Sequence, residues 1–327
     1  MNKHTIIIDT LGSDKGPEAI LDGAKLILDE FDNVDLVLVG DETTIKNHGL
    51  DLSRIKIIHT NETITNYDNP VEAFYKKPNV SIFKAFEEAS KDESIGLISA
   101  GNSGALIVSA IRYLMDEKRT RPCMAAVLPN MNNGFTCLVD TGASIDCSSS
   151  QLVEFAHLGS DFMKYLYKID APRVGLLSNG AEPTKGNKLV KETHQLLKDD
   201  KYINFVGNIE GNKALSGLCD VLVCDGFAGN QVLKNSEGMA TNLITEIVKY
   251  GKKCGGEKAN VAMEIVGHLM QTYDFESLGA GIMLGARRPV MKCRGSSGAK
   301  AIRNAAHILI NIAENKTLYE GEDKRGE

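Results

Sequence analysis

The chain has 327 residues, 43% of them hydrophobic and 24% charged, a composition that suits a globular protein with a sizeable core. Its 37 Lys and Arg are outnumbered by 43 Asp and Glu, a net charge of −6, which argues against a nucleic-acid protein because binding a phosphate backbone needs a positive field. No apolar run approaches the ~20 residues of a membrane span, and Met1 to His4 leads directly into Ile6-Ile7-Ile8-Asp9 without the pattern of a signal peptide, so a cytoplasmic protein is expected.

In chain order, short β-branched runs at residues 5–8, 34–39, 55–59, 95–99, 124–128, 136–139, 174–177, 203–206 and 221–224 have strand character. Most are followed by Gly, Asn, Asp or Pro and then by an amphipathic stretch, as at residues 17–28, 103–115, 151–167 and 187–198. This alternation predicts an α/β protein with a mainly parallel sheet between two layers of helices. Residues 124–128 and 136–139, joined by Pro129-Asn130-Met131-Asn132-Asn133-Gly134, read instead as an antiparallel hairpin. From about residue 230 to 270 the strand signal disappears. Met239, Leu243, Ile244, Ile247 and Val248 share one helical face, Gly251, Gly255 and Gly256 interrupt it, and Val261, Ile265, Val266 and Leu269 resume it. A helical hairpin follows, inserted in one domain spanning residues 1–327. Its apolar stripe ends in Lys249, Lys252 and Lys253, a pairing that suits a dimer interface or a lipid surface, with core packing as the plain alternative.

Seven cysteines without a CxxC pair, and seven dispersed histidines without HExxH, give no disulfide framework and no metal site. No cofactor is expected. Four glycine loops carry more information. Ser99-Ala100-Gly101-Asn102-Ser103-Gly104-Ala105, residues 178–187 around Lys185-Gly186-Asn187, Gly207-Asn208-Ile209-Glu210-Gly211, and Cys224-Asp225-Gly226-Phe227-Ala228-Gly229-Asn230 each follow a strand. In parallel sheets ligands bind at the carboxyl ends of strands, and helix N-termini there favour anions. One crevice for a phosphate-sized anion is the reading that accounts for all four. There is no GxxxxGK[ST], so P-loop hydrolysis is excluded. Gly279-Ala280-Gly281-Ile282-Met283-Leu284-Gly285 has the wrong spacing for a dinucleotide turn and no strand before it. A degenerate nucleophile elbow at Ser103, with His157, His194, His268 or His307 as its base, is the rival.

Taken in order, the loops resemble the PlsX family of acyl-acyl-carrier-protein:phosphate acyltransferases along the whole chain. The resemblance rests on Asp9-Thr10-Leu11-Gly12-Ser13-Asp14, Gly101-Asn102-Ser103-Gly104-Ala105-Leu106, Arg121-Pro122, Asp140-Thr141-Gly142-Ala143, Asp146-Cys147, Val174-Gly175-Leu176-Leu177 with Lys185-Gly186-Asn187, Phe205 to Gly211, Asp225-Gly226 with Gly229-Asn230 and Leu233-Lys234, and Gly295-Ser296-Ser297. It implies a fold like that of isopropylmalate dehydrogenases and phosphotransacetylases, a homodimer, and peripheral contact with the membrane.

The implied reaction is attack of inorganic phosphate on the thioester of an acyl carrier protein, which needs neither an enzyme nucleophile nor a metal. It needs a held phosphate, a balancing cation and donors for the oxyanion. On the resemblance, the amides of Asn102, Ser103 and Gly104 hold phosphate, Lys185 neutralises it, Asn208 and Asn230 donate to the carbonyl oxygen, and Asp225 orients a donor. Gly186, Asn187, Glu210, Gly226, Ser296 and Ser297 complete the expected phosphate and substrate contacts. The local alternatives are that Asp225 and Asn230 cap helices and Lys185 is solvated. The family commonly has Thr at the position of Ser103, which weakens the elbow.

The family's DAMGGD, YGGA and KAHGSS read here as residues 9–14, 278–281 and 292–297, and a Tyr and a His are thereby lost. The altered opening is similar to a PlsX-like relative, the α subunit of component C of glycine reductase, which transfers acetyl from an enzyme thioester to phosphate. Under that alternative Cys293, between Lys292 and Arg294, would carry the acyl group. A catalytically idle scaffold and a dehydrogenase of the same fold are the remaining alternatives.

Overall fold

The computed structural model describes residues 3–65, 67–91, 93–115, 121–272 and 280–315. In chain order the elements are β1 (His4–Asp9), α1 (Gly16–Glu30), β2 (Val34–Gly40), α2 (Glu42–Asn47), β3 (Ile55–His59), α3 (Pro70–Lys76), α4 (Ser81–Ala89), β4 (Gly96–Ser99), α5 (Ser103–Tyr113), β5 (Cys123–Pro129), β6 (Phe135–Val139), α6 (Ser149–Tyr167), β7 (Arg173–Ser178), α7 (Lys188–Asp199), β8 (Asn204–Glu210), β9 (Val221–Val223), α8 (Gly226–Cys254), α9 (Gly256–Thr272), β10 (Ala280–Leu284), β11 (Val290–Cys293) and α10 (Ala299–Asn315). They form two compact units, one from Met1–Ala125, Asp161–Asp170 and Gly279–Glu327, the other from Ala126–Ser160 and Ala171–Leu278. The alternating α/β architecture with a mainly parallel sheet is as expected.

In the first unit the strand order is β3-β2-β1-β4-β11-β10-β5. β1, β2, β3, β4 and β11 run parallel, and β10 is antiparallel to both β11 and β5. Ile6, Ile7 and Ile8 are all buried, as befits a parallel strand covered on both faces. α1 lies against α10 at Gly23, where a Cβ would stand 2.5 Å from that of Ile302. Residues 280–284, read from sequence as a failed glycine turn, are a buried strand instead. Gly281 is small because Met124 of β5 lies against it, its sulfur 3.0 Å from where a Cβ would be.

In the second unit β6, β9, β7 and β8 follow in parallel. The predicted hairpin enters β6 through a turn closed by Asn130 N–H donating to the Gly134 carbonyl at 2.9 Å. The Asn130 side-chain oxygen accepts from the amides of Asn132 and Gly134, the local reason the chain reverses there. The helical hairpin is α8 and α9, joined at Gly255 and Gly256, whose φ of +68° and +54° only glycine adopts freely. Met239, Leu243, Val261 and Ile265 on it are exposed. Among the described residues no helix is long and apolar enough to cross a membrane.

Candidate active site

Asp140 organises the second unit's strand ends. Completely buried after β6, its carboxylate accepts from the amides of Gly142, Ala143 and Ser144 at 3.1, 3.0 and 2.6 Å. α8 begins directly on this loop. Gly226 N–H donates to the Ser144 carbonyl at 2.8 Å, and a Cβ on Gly229 would stand 1.9 Å from the Asp140 carbonyl oxygen, so both positions require glycine. α8 therefore starts at Gly226, four residues before the hairpin expected from Asn230. Asp225 caps it by accepting from Ala228 N–H at 2.8 Å, so its carboxylate is engaged there. Asn230 donates from Nδ2 to the Thr141 carbonyl at 3.2 Å, which leaves one amide hydrogen for a ligand.

The loop from β7 to α7 closes on itself. Asn179 accepts the Gly186 amide at 2.8 Å, and Asn187 caps α7 by accepting from Val190 N–H at 2.9 Å. Gly186 sits at φ +100°. Lys185 is exposed, and among the described residues its ammonium makes no hydrogen bond or ion pair. A cleft of about 530 Å³ runs between Asn179, Gly186, Asn187 and Asp225, with Leu176, Val190, Phe227 and Val232 as part of its apolar lining. The first turns of α7 and α8 thus open on the same cleft and both bring a positive dipole end, although the amides of Val190, Gly226 and Ala228 are already bonded within the protein.

The segment 207–210 is not a loop. β8 runs to Glu210, and Gly207 with φ +100° follows a register shift opposite Val174 and Gly175. Asn208 is buried and committed to protein: its Oδ1 pairs with His194 Nδ1 at 2.9 Å and its Nδ2 donates to the Glu182 carbonyl at 2.9 Å. It braces the lysine loop. Glu210 ends the strand, half-buried.

In the first unit three loops converge at the strand ends. Asp9, buried at the end of β1, accepts from Ser99 Oγ at 2.8 Å and from Leu11 N–H at 3.2 Å, and Ser99 Oγ accepts from Gly101 N–H at 3.0 Å. Ser13 Oγ donates to the Gly295 carbonyl at 3.0 Å, and so does the Asp14 amide at 2.9 Å. Burial raises the Asp9 carboxyl to about 6 against the hydrogen bonds of Ser81, Ser99 and Leu11 and the charge of Lys292. Asn102 spends its side chain on the Ala105 amide at 3.0 Å as the cap of α5, and the exposed Ser103 and the half-buried Gly104 open that helix. Ser297 is buried, its amide on the Arg294 carbonyl at 3.0 Å, whereas Ser296 is exposed.

Of the four candidate bases for a serine elbow, His157 pairs with Asp200 at 2.8 Å, His194 with Asn208, and His307 with Glu30 at 3.0 Å. Cys293 departs furthest from expectation. It is completely buried in β11, and burial pushes its thiol up to about 12 against the small opposing effect of Lys292, so it is neither reachable nor ionised. Asp9 and Asp140 received no role from the sequence, and His194 only that of a candidate base for the elbow, not its pairing with Asn208. The first two share a signal, an Asp closing an apolar strand before a glycine turn; His194 has none, since its partner lies on another element.

A model of the family described as "Fatty acid synthesis protein" matches residues 4–318. A phosphate acyltransferase of Thermoanaerobacter pseudethanolicus is 37% identical over 317 residues, covering 96% of this chain and 95% of that protein. The chain belongs to this family. Another relative, a phosphate acyltransferase of Enterococcus faecalis, is 36% identical over 332 residues, covering 97% and 99% of the two chains. Among solved structures, a phosphotransacetylase from Streptococcus pyogenes superposes with a TM-score of 0.60 at 16% identity, covering 95% of this chain and 94% of that one; the likeness is one of fold. Family membership makes the chain an acyltransferase and agrees with the resemblance drawn from its ordered loops.

Proposed function

We propose that this protein transfers an acyl group from an acyl-carrier-protein thioester to inorganic phosphate. A phosphate oxygen attacks the thioester carbonyl carbon, the tetrahedral oxyanion collapses, the carbon–sulfur bond breaks, and the thiolate leaves and takes up a proton. The observation that carries this reading is the cleft on which the first turns of α7 and α8 both open, with the uncommitted Lys185 next in the chain to its lining residue Gly186. Helix N-terminal amides suit phosphate, and Lys185 supplies the cation that balances a reaction centre of several negative charges. The remaining amide hydrogen of Asn230 suits the oxyanion. Asp225 acts by holding the start of α8. Lining residues such as Leu176, Val190, Phe227 and Val232 favour an acyl thioester over a polar donor.

Direct attack requires no acyl group on the enzyme, and the buried thiol of Cys293 supports it over the acyl-carrying alternative. The exposed stripe of Met239, Leu243, Val261 and Ile265, ending near Lys249, Lys252 and Lys253, supports a homodimer in peripheral contact with the membrane.

The test is formation of acyl phosphate, trapped as a hydroxamate, from an acyl-carrier-protein thioester and phosphate. Wild-type protein should form it, and Lys185→Ala should raise the phosphate KM at least tenfold with the fold intact. No acyl phosphate from any thioester overturns the function. An unchanged phosphate dependence in Lys185→Ala removes that residue from the site.

A further inference from the structure

An unbroken chain of hydrogen bonds leads from the middle of α7 to the backbone of Lys185. The Glu182 carbonyl oxygen accepts two N–H groups, from Lys185 at 3.0 Å and from Asn208 Nδ2 at 2.9 Å. Asn208 Oδ1 in turn faces His194 Nδ1 at 2.9 Å. Both side chains are buried, and the imidazole is held edge-on to Phe205, ring centres 5.0 Å apart. With Nδ2 donating to Glu182, Oδ1 is the atom left for His194, so the imidazole carries its hydrogen on Nδ1. A reversed amide would set Oδ1 against the Glu182 carbonyl oxygen, two acceptors in contact with no hydrogen between them. His194 thereby completes the one amide orientation that the Glu182 carbonyl accepts, and holds the amide that pins the turn. From the other side, Asn179 accepts the Gly186 amide at 2.8 Å, and Gly180 leaves room for the Lys185 stem, whose Cγ would stand 2.7 Å from a Cβ there. The lysine backbone is fixed on both flanks while its ammonium is left uncommitted.

We infer that His194 is a positioning residue for Lys185: through Asn208 and the Glu182 carbonyl it holds the lysine turn where phosphate is received, though it touches no reacting atom. The inference rests on the reading of Lys185 as the phosphate-balancing cation. Bound-state geometry of this kind is lost when the side chains that support it are cut.

The test is steady-state kinetics on full-length protein with phosphate and an acyl-carrier-protein thioester. His194→Phe keeps a ring against Phe205 but removes the donor, and should raise the phosphate KM about tenfold, the effect of one buried hydrogen bond, with little change in thioester KM. His194→Asn places an amide N–H near the position of Nδ1 and should restore most of the loss. Asn208→Asp keeps the acceptor for His194 but has no donor for Glu182, and should match His194→Phe. The double variant His194→Phe with Asn208→Asp should be no worse than either single one, because one chain is broken in both cases. Should His194→Phe not fold, Asn208→Asp and His194→Asn carry the same comparison. A wild-type phosphate KM in Asn208→Asp, additive effects in the double variant, or equal loss in His194→Phe and His194→Asn overturns the inference. If Lys185→Ala also leaves the phosphate KM unchanged, it is the reading of the site that has failed.

Discussion

Asp9→Asn isolates the energetic cost of the most perturbed carboxylate at the first unit's strand ends. Burial raises the Asp9 carboxyl from 3.8 to about 6, with Ser81, Ser99, the Leu11 amide and Lys292 opposing it. At 1.36 kcal/mol per pH unit, the interval corresponds to about 3 kcal/mol by which the native state disfavours the ionised form. A raised acid binds its proton more tightly when folded, so this cost is fully present above about pH 6 and is relieved as pH falls towards 4. Asparagine does not titrate and so removes the pH dependence, at the constant price of turning an amide towards the Ser99 hydroxyl. The assay is urea unfolding of wild-type protein and Asp9→Asn at pH 4.5, 5.5, 6.5 and 7.5. Other titrating groups cancel in the difference, which should move by about 2–3 kcal/mol in favour of the wild type as pH falls from 7.5 to 4.5. A flat difference refutes the reasoning, because a carboxylate compensated by Lys292 and its hydrogen bonds would retain an ordinary acidity.

Iodoacetamide should label Cys254, which is exposed, within minutes, and should leave Cys293 unmodified in the folded protein; peptide mass spectrometry reads both sites. Cys293→Ala should keep most phosphate-dependent transfer, and protein incubated with donor in the absence of phosphate should show no acyl adduct by intact mass. Gly229→Ala should cost about 2–3 kcal/mol in thermal unfolding and lower activity together, since a methyl 1.9 Å from the Asp140 carbonyl oxygen forces the start of α8 off its loop. At Asp220, burial alone would raise the carboxyl, but Arg173, bonded to it at 2.8 and 3.0 Å, and its backbone amide at 2.8 Å outweigh that and hold it below the usual range. Asp220→Asn should therefore cost about 2 kcal/mol at pH 7, and the gap to wild type should close as pH falls through the depressed value, below about pH 4.

Buried parallel strands announce themselves, because both faces demand apolar β-branched residues. Ile6-Ile7-Ile8 and the run from Val34 to Val39 are read at once, and β1, β2 and β3 fall within a residue of where the sequence places them. Ala280 to Leu284 carries no such signal, being short, rich in small residues and antiparallel to both neighbours. The start of α8 is hidden for a different reason. Gly226 and Gly229 are poor helix formers, and only the nearness of the Asp140 backbone explains why the helix begins with them. The turns before α5 and α7 are legible from their Gly and Asn residues, since that property belongs to the local chain, whereas residues 207–210 are strand. The commitments of Asn208 and Asp225 are not legible, because an amide or carboxylate takes the partner that tertiary structure brings to it.

Cys293 shows how far such local reasoning reaches. Lys292 and Arg294 flank it in sequence, and on a solvated loop two adjacent cations would lower a thiol's pKa and favour the thiolate. In a strand, successive side chains point to opposite faces. β11 directs Cys293 into the core, where burial dominates and the half-buried Lys292 acts only weakly on it. A charge one residue away in sequence is then a poor electrostatic partner. The acyl group consequently has no thiol at Cys293 on which to rest between donor and acceptor. On the proposed reading, phosphate meets the thioester while the acyl group is still on its carrier, and the held phosphate and the turn that fixes Lys185 then supply the orientation that a covalent intermediate would otherwise provide.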